Sequence, residues 1–202
     1  MTLAESTAAD TLRVHGEQAR RLAALRAAMA EHGLAAYLVP RADEHQNEYV
    51  APSEERLRWV SGFTGSAGLA AVGATRAAIF VDGRYVLQVR QQSDAACWEH
   101  RHVSDTPFVD WAKSRLAAGD RVGFDPKLHT SGEITRYRTA LAGSGIEVVP
   151  LAENLVDRCW TDRPAPPLGR VSLHPVAFAG ETSESKRRRI AAVLQSGAST
   201  RS

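Results

Sequence analysis

The sequence predicts an α/β domain built on a mixed β-sheet. Three observations support this fold class: helical and strand patterns alternate over residues 18–150, a short hairpin pattern lies inside that alternation, and the composition is that of a globular chain, with 44% hydrophobic and 24% charged residues. Because a tight hairpin joins antiparallel strands while helical crossovers join parallel ones, the sheet should contain both kinds of strand pair.

The first predicted elements are one amphipathic helix and a buried strand. Apolar residues recur at intervals of three to five from Gln18 onward, and Gly33 is placed to end the helix. The strand follows at residues 35–39. Residues 40–52 are polar and predict a loop, after which Ser53 is expected to cap a short helical turn.

The later elements continue the alternation. Residues 69–72 and 77–81 flank a glycine-containing turn and predict the hairpin. Charged residues and histidines alternate in the strand predicted at residues 98–103, which favours an exposed edge of the sheet. Two more strands are predicted at residues 121–125 and 146–149, and four more helices at residues 83–92, 108–116, 131–141 and 154–160.

The chain divides into four predicted segments. Residues 1–17 lack clear periodicity and predict a flexible leader, whereas residues 18–150 form the α/β domain. Prolines punctuate residues 151–180, which predicts a linker. Residues 181–202 predict an opening helix and a polar tail, the start of a truncated second domain.

Charge and cysteine content exclude several classes of function. The formal net charge of +2 is too small for a nucleic-acid-binding face, and the one dense basic run, Lys186–Arg189, is interpreted as a solvated helix face. No apolar run is long enough to cross a bilayer, and the first residues lack a secretory signal. Cys97 and Cys159 are isolated and predict no disulfide framework. We therefore expect a cytoplasmic protein without nucleic-acid or membrane partners.

The most distinctive motif is a glycine loop, residues 62–68, in which three glycines are spaced by three residues. Phosphate and dinucleotide loops open a helix, whereas a strand is predicted directly after Gly68. A nucleophile elbow requires glycine two residues before its serine, and Thr64 stands at that position before Ser66. The spacing therefore predicts a tight loop shaped to lie beside another surface.

Two groups of side chains have the chemistry of metal ligands but not the arrangement. Asp43, Glu44, His45 and Glu48 are nearly contiguous in one predicted loop, whereas a metal site draws its ligands from several elements. We interpret them as structural residues or as polar contacts to a neighbouring domain or substrate. The two histidines within residues 98–103 lack a carboxylate partner and are expected to be solvated.

The segment Asp82–Tyr85 follows the hairpin and combines a turn former with an arginine. A guanidinium group can bind a carboxylate through two parallel hydrogen bonds. We expect the carboxylate that Arg84 binds to be internal to the domain.

Four motifs occur in an order that resembles a known family. They are Asp43–Tyr49, Arg56–Trp59, Ser61–Gly68 and Val81–Tyr85. Together they resemble the amino-terminal domain of Xaa-Pro aminopeptidases, the aminopeptidase P branch of the creatinase- and prolidase-like metallopeptidases, from Arg20 to about Leu194. The resemblance implies a ribonuclease-H-like topology for the mixed sheet and its flanking helices.

The resemblance also implies that the chemistry lies outside this chain. In this family two divalent metal ions, usually manganese, act in a later catalytic domain that removes an amino-terminal residue preceding proline. No catalytic or metal-binding residue carries over, so the chain alone is expected to be inactive and to hold no cofactor. The implied partners are the downstream catalytic domain, a second copy in a homodimer, and, as substrates of the parent, peptides with proline at the second position.

The resemblance marks candidates for contacts to the substrate cleft or to another domain. Trp59 and Phe63 are candidates for a lid, because related enzymes place aromatic groups of this domain near the cleft. The full set is Asp43, Glu44, His45, Glu48, Tyr49, Arg56, Trp59, Phe63, Thr64, Gly65, Ser66, Asp82, Arg84 and Tyr85.

Two other functions stay open. The chain could be a stand-alone peptide- or protein-binding module of the same fold without peptidase activity. It could also be an independent hydrolase that uses Ser66 with His45 and Asp82, although no nucleophile motif surrounds Ser66.

Overall fold

The chain forms two compact units, separated between Pro166 and Pro167. The computed structural model describes the backbone of residues 3–198 and the side chains of residues 16–196. The first unit contains a β-sheet with helices on both faces. The second unit contains two helices.

A six-stranded mixed sheet forms the centre of the first unit. Its strands are β1 (Ala36–Pro40), β2 (Leu69–Gly73), β3 (Ala77–Val81), β4 (Glu99–His102), β5 (Arg121–Phe124) and β6 (Glu147–Pro150). They lie in the order β4-β3-β2-β1-β5-β6. Only β2 runs antiparallel to its neighbours, β1 and β3, and all other pairs are parallel. The predicted mixed sheet, its hairpin and the edge position of β4 are confirmed.

Six helices cover the two faces of the sheet. They are α1 (Leu3–Glu31), α2 (Arg56–Ser61), α3 (Val86–Gln92), α4 (Phe108–Arg115), α5 (Ser131–Leu141) and α6 (Leu155–Cys159). Successive strand residues point to opposite faces, so Tyr37 and Val39 pack with α1, α2, α3 and α6, while Ala36 and Leu38 pack with α4 and α5. The result is a three-layer α/β/α unit.

The first helix begins earlier than its apolar pattern predicts. α1 runs from Leu3, so most of the flexible leader predicted at residues 1–17 is helical. Residues 3–12 are rich in alanine and leucine, whose high helix propensity extends the helix without an apolar stripe. The predicted stop is correct, because Gly33 adopts φ +61° and turns the chain toward β1. Met1 and Thr2 lie outside the described residues.

The predicted cap at Ser53 is wrong. A single 3₁₀ turn covers Pro52–Glu54, and its first position follows Ala51 without a side-chain cap. Ser53 lies inside the turn with 1% of its surface exposed, and its hydroxyl has no hydrogen-bond partner among the described residues. Proline favours the first position of a helical turn because its φ is fixed, and Pro52 therefore moves the cap position two residues earlier, from Ser53 to Ala51.

The first unit continues past residue 150, where the linker was predicted to begin. Leu155 and Val156 of α6 are fully buried. Trp160 stacks on Trp59 with 5.6 Å between ring centroids and 22° between ring planes. Residues 151–166 therefore belong to the first unit, because long-range packing outweighs their proline-rich composition.

The second unit contains α7 (Val176–Ala179) and α8 (Ser183–Ala198). α8 covers the helix predicted at residues 183–194 and continues into the predicted polar tail; residues 199–202 lie outside the described part. Arg188 pairs with Glu184 and Arg189 with Glu181, as expected for a solvated helix face. Across residues 3–198, no helix has both the length and the apolar character needed to span a bilayer.

Candidate functional site

The topology brings three predicted loops to one edge of the sheet. Five strands run in one direction, so their carboxyl ends share an edge, and the antiparallel β2 begins there. That edge therefore carries residues 41–49 after β1, the glycine loop before β2 and residues 82–85 after β3. We call these three segments the carboxyl edge. Sheets of this kind commonly bind ligands outside the carboxyl ends of their parallel strands.

The glycine loop packs tightly around one aromatic ring. Phe63 is 1% exposed and meets Tyr85 edge to face, with 5.7 Å between ring centroids. A Cβ atom on Gly65 would lie 2.2 Å from Cζ of Phe63, so only glycine fits there. Ser66 Oγ and Tyr85 Oη lie 2.7 Å apart and form a hydrogen bond. The loop is thus joined to residues 82–85 by packing and by a hydroxyl pair.

The two aromatic lid candidates are buried within the first unit. Trp59 is 9% exposed and lies between Trp160 and the guanidinium of Arg21, whose Cζ is 4.9 Å from its ring centroid. Phe63 has even less exposed surface. Packing within the domain accounts for both rings, so their lid role stays a prediction without an exposed surface to support it.

Asp43 shapes the loop after β1. Its carboxylate accepts hydrogen bonds from the backbone amides of His45 at 2.9 Å and Asn47 at 3.0 Å, and from Asn47 Nδ2 at 2.8 Å. Gln46, between them, adopts the left-handed φ of 56° and donates to the carbonyl of Leu128. Asp43 is buried, and these hydrogen bonds to its carboxylate come from its own loop.

Replacing Asp43 with asparagine should destabilise the domain in a pH-dependent way. Burial alone would raise the pKa of Asp43, but the hydrogen bonds from Asn47 and His45 hold it below its ordinary value. A depressed folded-state pKa stabilises the fold above the unfolded pKa of about 3.9, and this stabilisation is lost as the pH falls through the folded pKa. We expect Asp43→Asn to cost about 1–2 kcal/mol at pH 7.

Urea unfolding at pH 7 and pH 3 measures this effect. The difference between the wild-type and Asp43→Asn proteins should shrink at the lower pH. A difference that is the same at both pH values would contradict the role of the ionised carboxylate.

The remaining members of this loop face solvent. Glu44, His45 and Glu48 are exposed, and Tyr49 is 90% exposed. Glu44 lies 3.7 Å from His45 and 3.8 Å from Lys127, distances at which exposed charges contribute little. These four side chains are therefore available for contacts to another domain or a ligand.

Arg84 binds an internal carboxylate, as predicted. Its guanidinium donates to both carboxylate oxygens of Asp82, with Nη2 to Oδ2 at 2.8 Å and Nε to Oδ1 at 3.1 Å, and its Cζ lies 5.0 Å from the ring centroid of Tyr85. The hydrogen bonds from Arg84 hold the pKa of Asp82 below its ordinary value. The pair is exposed, so it orders residues 82–85 more than it stabilises the fold.

A cavity of about 410 Å³ opens at the carboxyl edge. Apolar side chains from the ends of β1, β2 and β3 and from the start of α4 form most of its wall. Its polar groups come from all three loops and include Arg41, Gln46, Ser66 and Asp82. A mostly apolar concavity with a few convergent polar groups is typical of a ligand site.

A partly buried set of titratable side chains that no sequence motif marked lies at this cavity, where Glu133 and Tyr137 form part of the wall. Glu133 accepts a hydrogen bond from Tyr137 Oη at 2.8 Å, and its other oxygen lies 3.0 Å from Nδ1 of the buried His129. Burial opposes ionisation of Glu133, but the hydrogen bond with His129 prevails and holds its pKa below the ordinary value. Burial and the Glu133 charge raise the pKa of Tyr137. The spacing of four residues between these side chains was the available signal.

Arg56, one of the candidates for contacts to the substrate cleft or to another domain, is buried in an ion-pair network. Its side chain is 6% exposed and binds Asp157 through Nε at 2.6 Å and Nη2 at 2.9 Å, and it also pairs with Glu54. Arg163 bonds to the same two carboxylates at 2.7 and 2.8 Å. The network joins α2 to α6 inside the first unit.

Ser66, His45 and Asp82 do not form a catalytic triad in the described part of the chain. Ser66 bonds to Tyr85, Asp82 to Arg84, and His45 approaches Glu44, so the three members of the hydrolase hypothesis have separate partners. His100, which was expected to be solvated, lies with its Nε2 atom at hydrogen-bond distance, 2.8 Å, from Ser93 Oγ. Across the described residues, no group of three or more His, Cys, Asp or Glu side chains could hold a metal ion.

Solved structures share this fold. An X-prolyl aminopeptidase from Caenorhabditis elegans, described as a cytosolic enzyme with a di-nuclear active site, matches with a TM-score of 0.82 and 31% identity, over 89% of this chain and 31% of that chain. The N-terminal domain of the cytoplasmic peptidase PepQ from Mycobacterium tuberculosis matches with a TM-score of 0.54 and 26% identity, over 69% of this chain and 98% of that chain. The class is therefore an α/β domain that recurs in peptidases.

The chain belongs to the creatinase/prolidase N-terminal domain family, whose model matches residues 21–159. The protein named "Probable Xaa-Pro aminopeptidase P" from Neosartorya fischeri is 43% identical over 170 residues, 82% of this chain and 26% of that protein. Xaa-Pro aminopeptidase 2 from Homo sapiens is 42% identical over 167 residues, 82% of this chain and 25% of that protein. The motif resemblance is confirmed, and the chain spans about a quarter of the length of these curated relatives.

Proposed function

We propose that this domain forms one wall of the substrate cleft in a longer Xaa-Pro aminopeptidase-like protein and packs against its other domain and subunit. The observation that carries the proposal is the carboxyl edge. There, the exposed Glu44, His45, Glu48 and Tyr49 project beside a tightly packed glycine loop. A tightly packed glycine loop beside exposed polar and aromatic side chains suits a surface that positions a ligand or a neighbouring domain.

The chemistry of the proposed substrates fits selection by shape. Proline has a fixed φ and no amide hydrogen at its nitrogen, so a peptide with proline at its second position offers fewer backbone donors than other peptides. A wall that restricts the approach of the peptide end can distinguish such substrates by geometry and by unfavourable contacts with others. The exposed carboxylates are also suited to a positively charged peptide amino terminus.

The catalytic residues and the metal centre belong, in this proposal, to the rest of the parent protein. The described residues do not fit a two-ion centre, since they provide no metal-binding group of three or more side chains. The proposal assigns two divalent ions, manganese among the candidates, to the downstream domain, and the di-nuclear active site named for the C. elegans relative supports it. A homodimer and a cytoplasmic location complete the proposal, and the C. elegans relative described as a cytosolic enzyme supports the latter.

Two measurements test the wall. Residues 1–202 supplied with manganese should release no amino acid from an Xaa-Pro peptide. In the longer protein, Tyr49→Ala should raise KM about fivefold with little change in kcat, because an exposed aromatic contact is lost. Thr75→Ala serves as the control, since Thr75 is exposed in the β2–β3 turn at the opposite edge of the sheet.

Three outcomes would contradict the proposal in different ways. Turnover by residues 1–202 that a single substitution abolishes would place a reaction centre within them. Equal KM values for wild type and Tyr49→Ala would remove Tyr49 from the cleft. Saturable binding of peptides by residues 1–202 alone would favour the alternative function, a stand-alone peptide- or protein-binding module.

A further inference from the structure

The glycine loop is held by a glutamine from α3. The Thr64 backbone amide donates to Gln92 Oε1 at 2.9 Å, and Gln92 Nε2 donates to Thr64 Oγ1 at 2.9 Å. Gln88, one turn earlier, also donates to Thr64 Oγ1 at 2.9 Å. Both the main chain and the side chain of Thr64 are therefore bound, although Thr64 itself is exposed. Because Thr64 lies between Phe63 and Gly65, these bonds hold the loop next to its aromatic packing.

A buried glutamine of α1 binds the end of α3 that carries Gln92. Gln18 is 1% exposed, and both ends of its amide are satisfied: Nε2 donates to the Gln92 carbonyl at 3.1 Å, and Oε1 accepts from the Asp94 amide at 3.0 Å. A buried side-chain amide is uncommon and is retained where its hydrogen bonds are complete. Gln18 therefore anchors the end of α3 to α1.

The start of the glycine loop is built around the same atoms. Gly62 ends α2 with φ 79°, and a Cβ there would lie 2.7 Å from the Gln92 carbonyl oxygen and 2.8 Å from Gln18 Nε2. Gly62 thus approaches the backbone carbonyl of Gln92, whereas Thr64 bonds to the side-chain amide of the same residue. Gln92 of α3 therefore contacts both the glycine loop and, through Gln18, α1.

We infer that Gln92 is a positioning residue for the carboxyl edge, with Gln18 as its support. Gln92 fixes the glycine loop, and through it the contact of Tyr85 with Ser66, which lines the cavity. Neither glutamine belongs to any of the four family motifs. The consequence for peptide selection rests on the function proposed above, whereas the positioning of the loop does not.

Amide hydrogen exchange of residues 1–202 tests the positioning directly. Gln92→Ala removes the acceptor of the Thr64 amide and should speed its exchange about tenfold. Gln92→Glu keeps an acceptor oxygen and should restore most of the protection. Gln91→Ala is the matched control, because Gln91 is an exposed glutamine in the same helix, and it should leave Thr64 exchange unchanged. Unchanged Thr64 exchange in Gln92→Ala would overturn the inference.

Kinetics in the longer protein test the link to function. Gln92→Ala should raise KM for an Xaa-Pro peptide severalfold while kcat stays within about twofold, since the catalytic groups are untouched. Faster Thr64 exchange with an unchanged KM would support the positioning of the loop and contradict the proposed cleft wall. Unchanged exchange would overturn the positioning role whatever the KM.

Discussion

Replacing Gly65 with alanine is expected to lower the free energy of unfolding by about 3 kcal/mol. The new methyl group would lie 2.2 Å from Cζ of Phe63 and 2.8 Å from Cδ1 of Tyr85. Phe63 cannot move aside easily, because it is 1% exposed and packs edge to face on Tyr85. The two rings must separate, which also disturbs the hydroxyl pair between Ser66 and Tyr85.

Urea unfolding followed by tryptophan fluorescence gives the stability of this variant. Gly16→Ala is the control: it introduces the same methyl group in α1, where nothing lies within 4 Å of the new Cβ. The control should gain up to about 1 kcal/mol, because alanine is the better helix former. A Gly65→Ala protein as stable as wild type would mean that the glycine loop is loosely packed.

The second large effect is expected at Arg56. Arg56→Met should cost about 3 kcal/mol, because removing one partner leaves two carboxylates inside the domain with less compensation. Burial by itself lowers the pKa of Arg56, but hydrogen bonds with Asp157 and Glu54 raise it above its ordinary value, so the charge is retained in the fold. Arg163 still bonds both carboxylates, which keeps the cost below that of an isolated buried charge.

Arg58→Met is a matched control for this experiment. Arg58 lies in the same helix and is exposed, so the substitution removes the same charge without breaking the network. Its effect should stay within about 0.5 kcal/mol. Equal losses at both positions would attribute the effect to net charge and would contradict the network as the source of stability.

Elements with strong local signals were predicted closely from the sequence. The β2–β3 hairpin followed from two apolar runs around a glycine turn, and α5 occupies the predicted residues 131–141. Thr130 explains the sharp start of α5, since its side chain accepts a hydrogen bond from the Glu133 amide. The edge position of β4 followed from its charged side chains, which an interior strand would bury at high cost.

Contacts between distant segments were not predictable in the same way. Arg56 and Asp157 are 101 positions apart, and nothing near either residue marks the other as its partner. Gln18 is a polar residue of the type expected at an exposed helix position. It is only 1% exposed, because the end of α3 packs against it. The first unit extended beyond residue 150 for the same reason, since Trp160 stacks on a ring far away in sequence.

By itself, the sequence determined the α/β class, the hairpin and the family, because periodicity, turn chemistry and contiguous motifs act over a few residues. Only the tertiary structure decided which candidate residues face outward. Phe63 and Thr64 are neighbours in one motif, but the Phe63 ring is buried, whereas the Thr64 side chain is exposed and bonded to Gln92. The difference is physical: burial depends on the helices that pack against a segment, and here these are α1 and α3, which lie outside the motif.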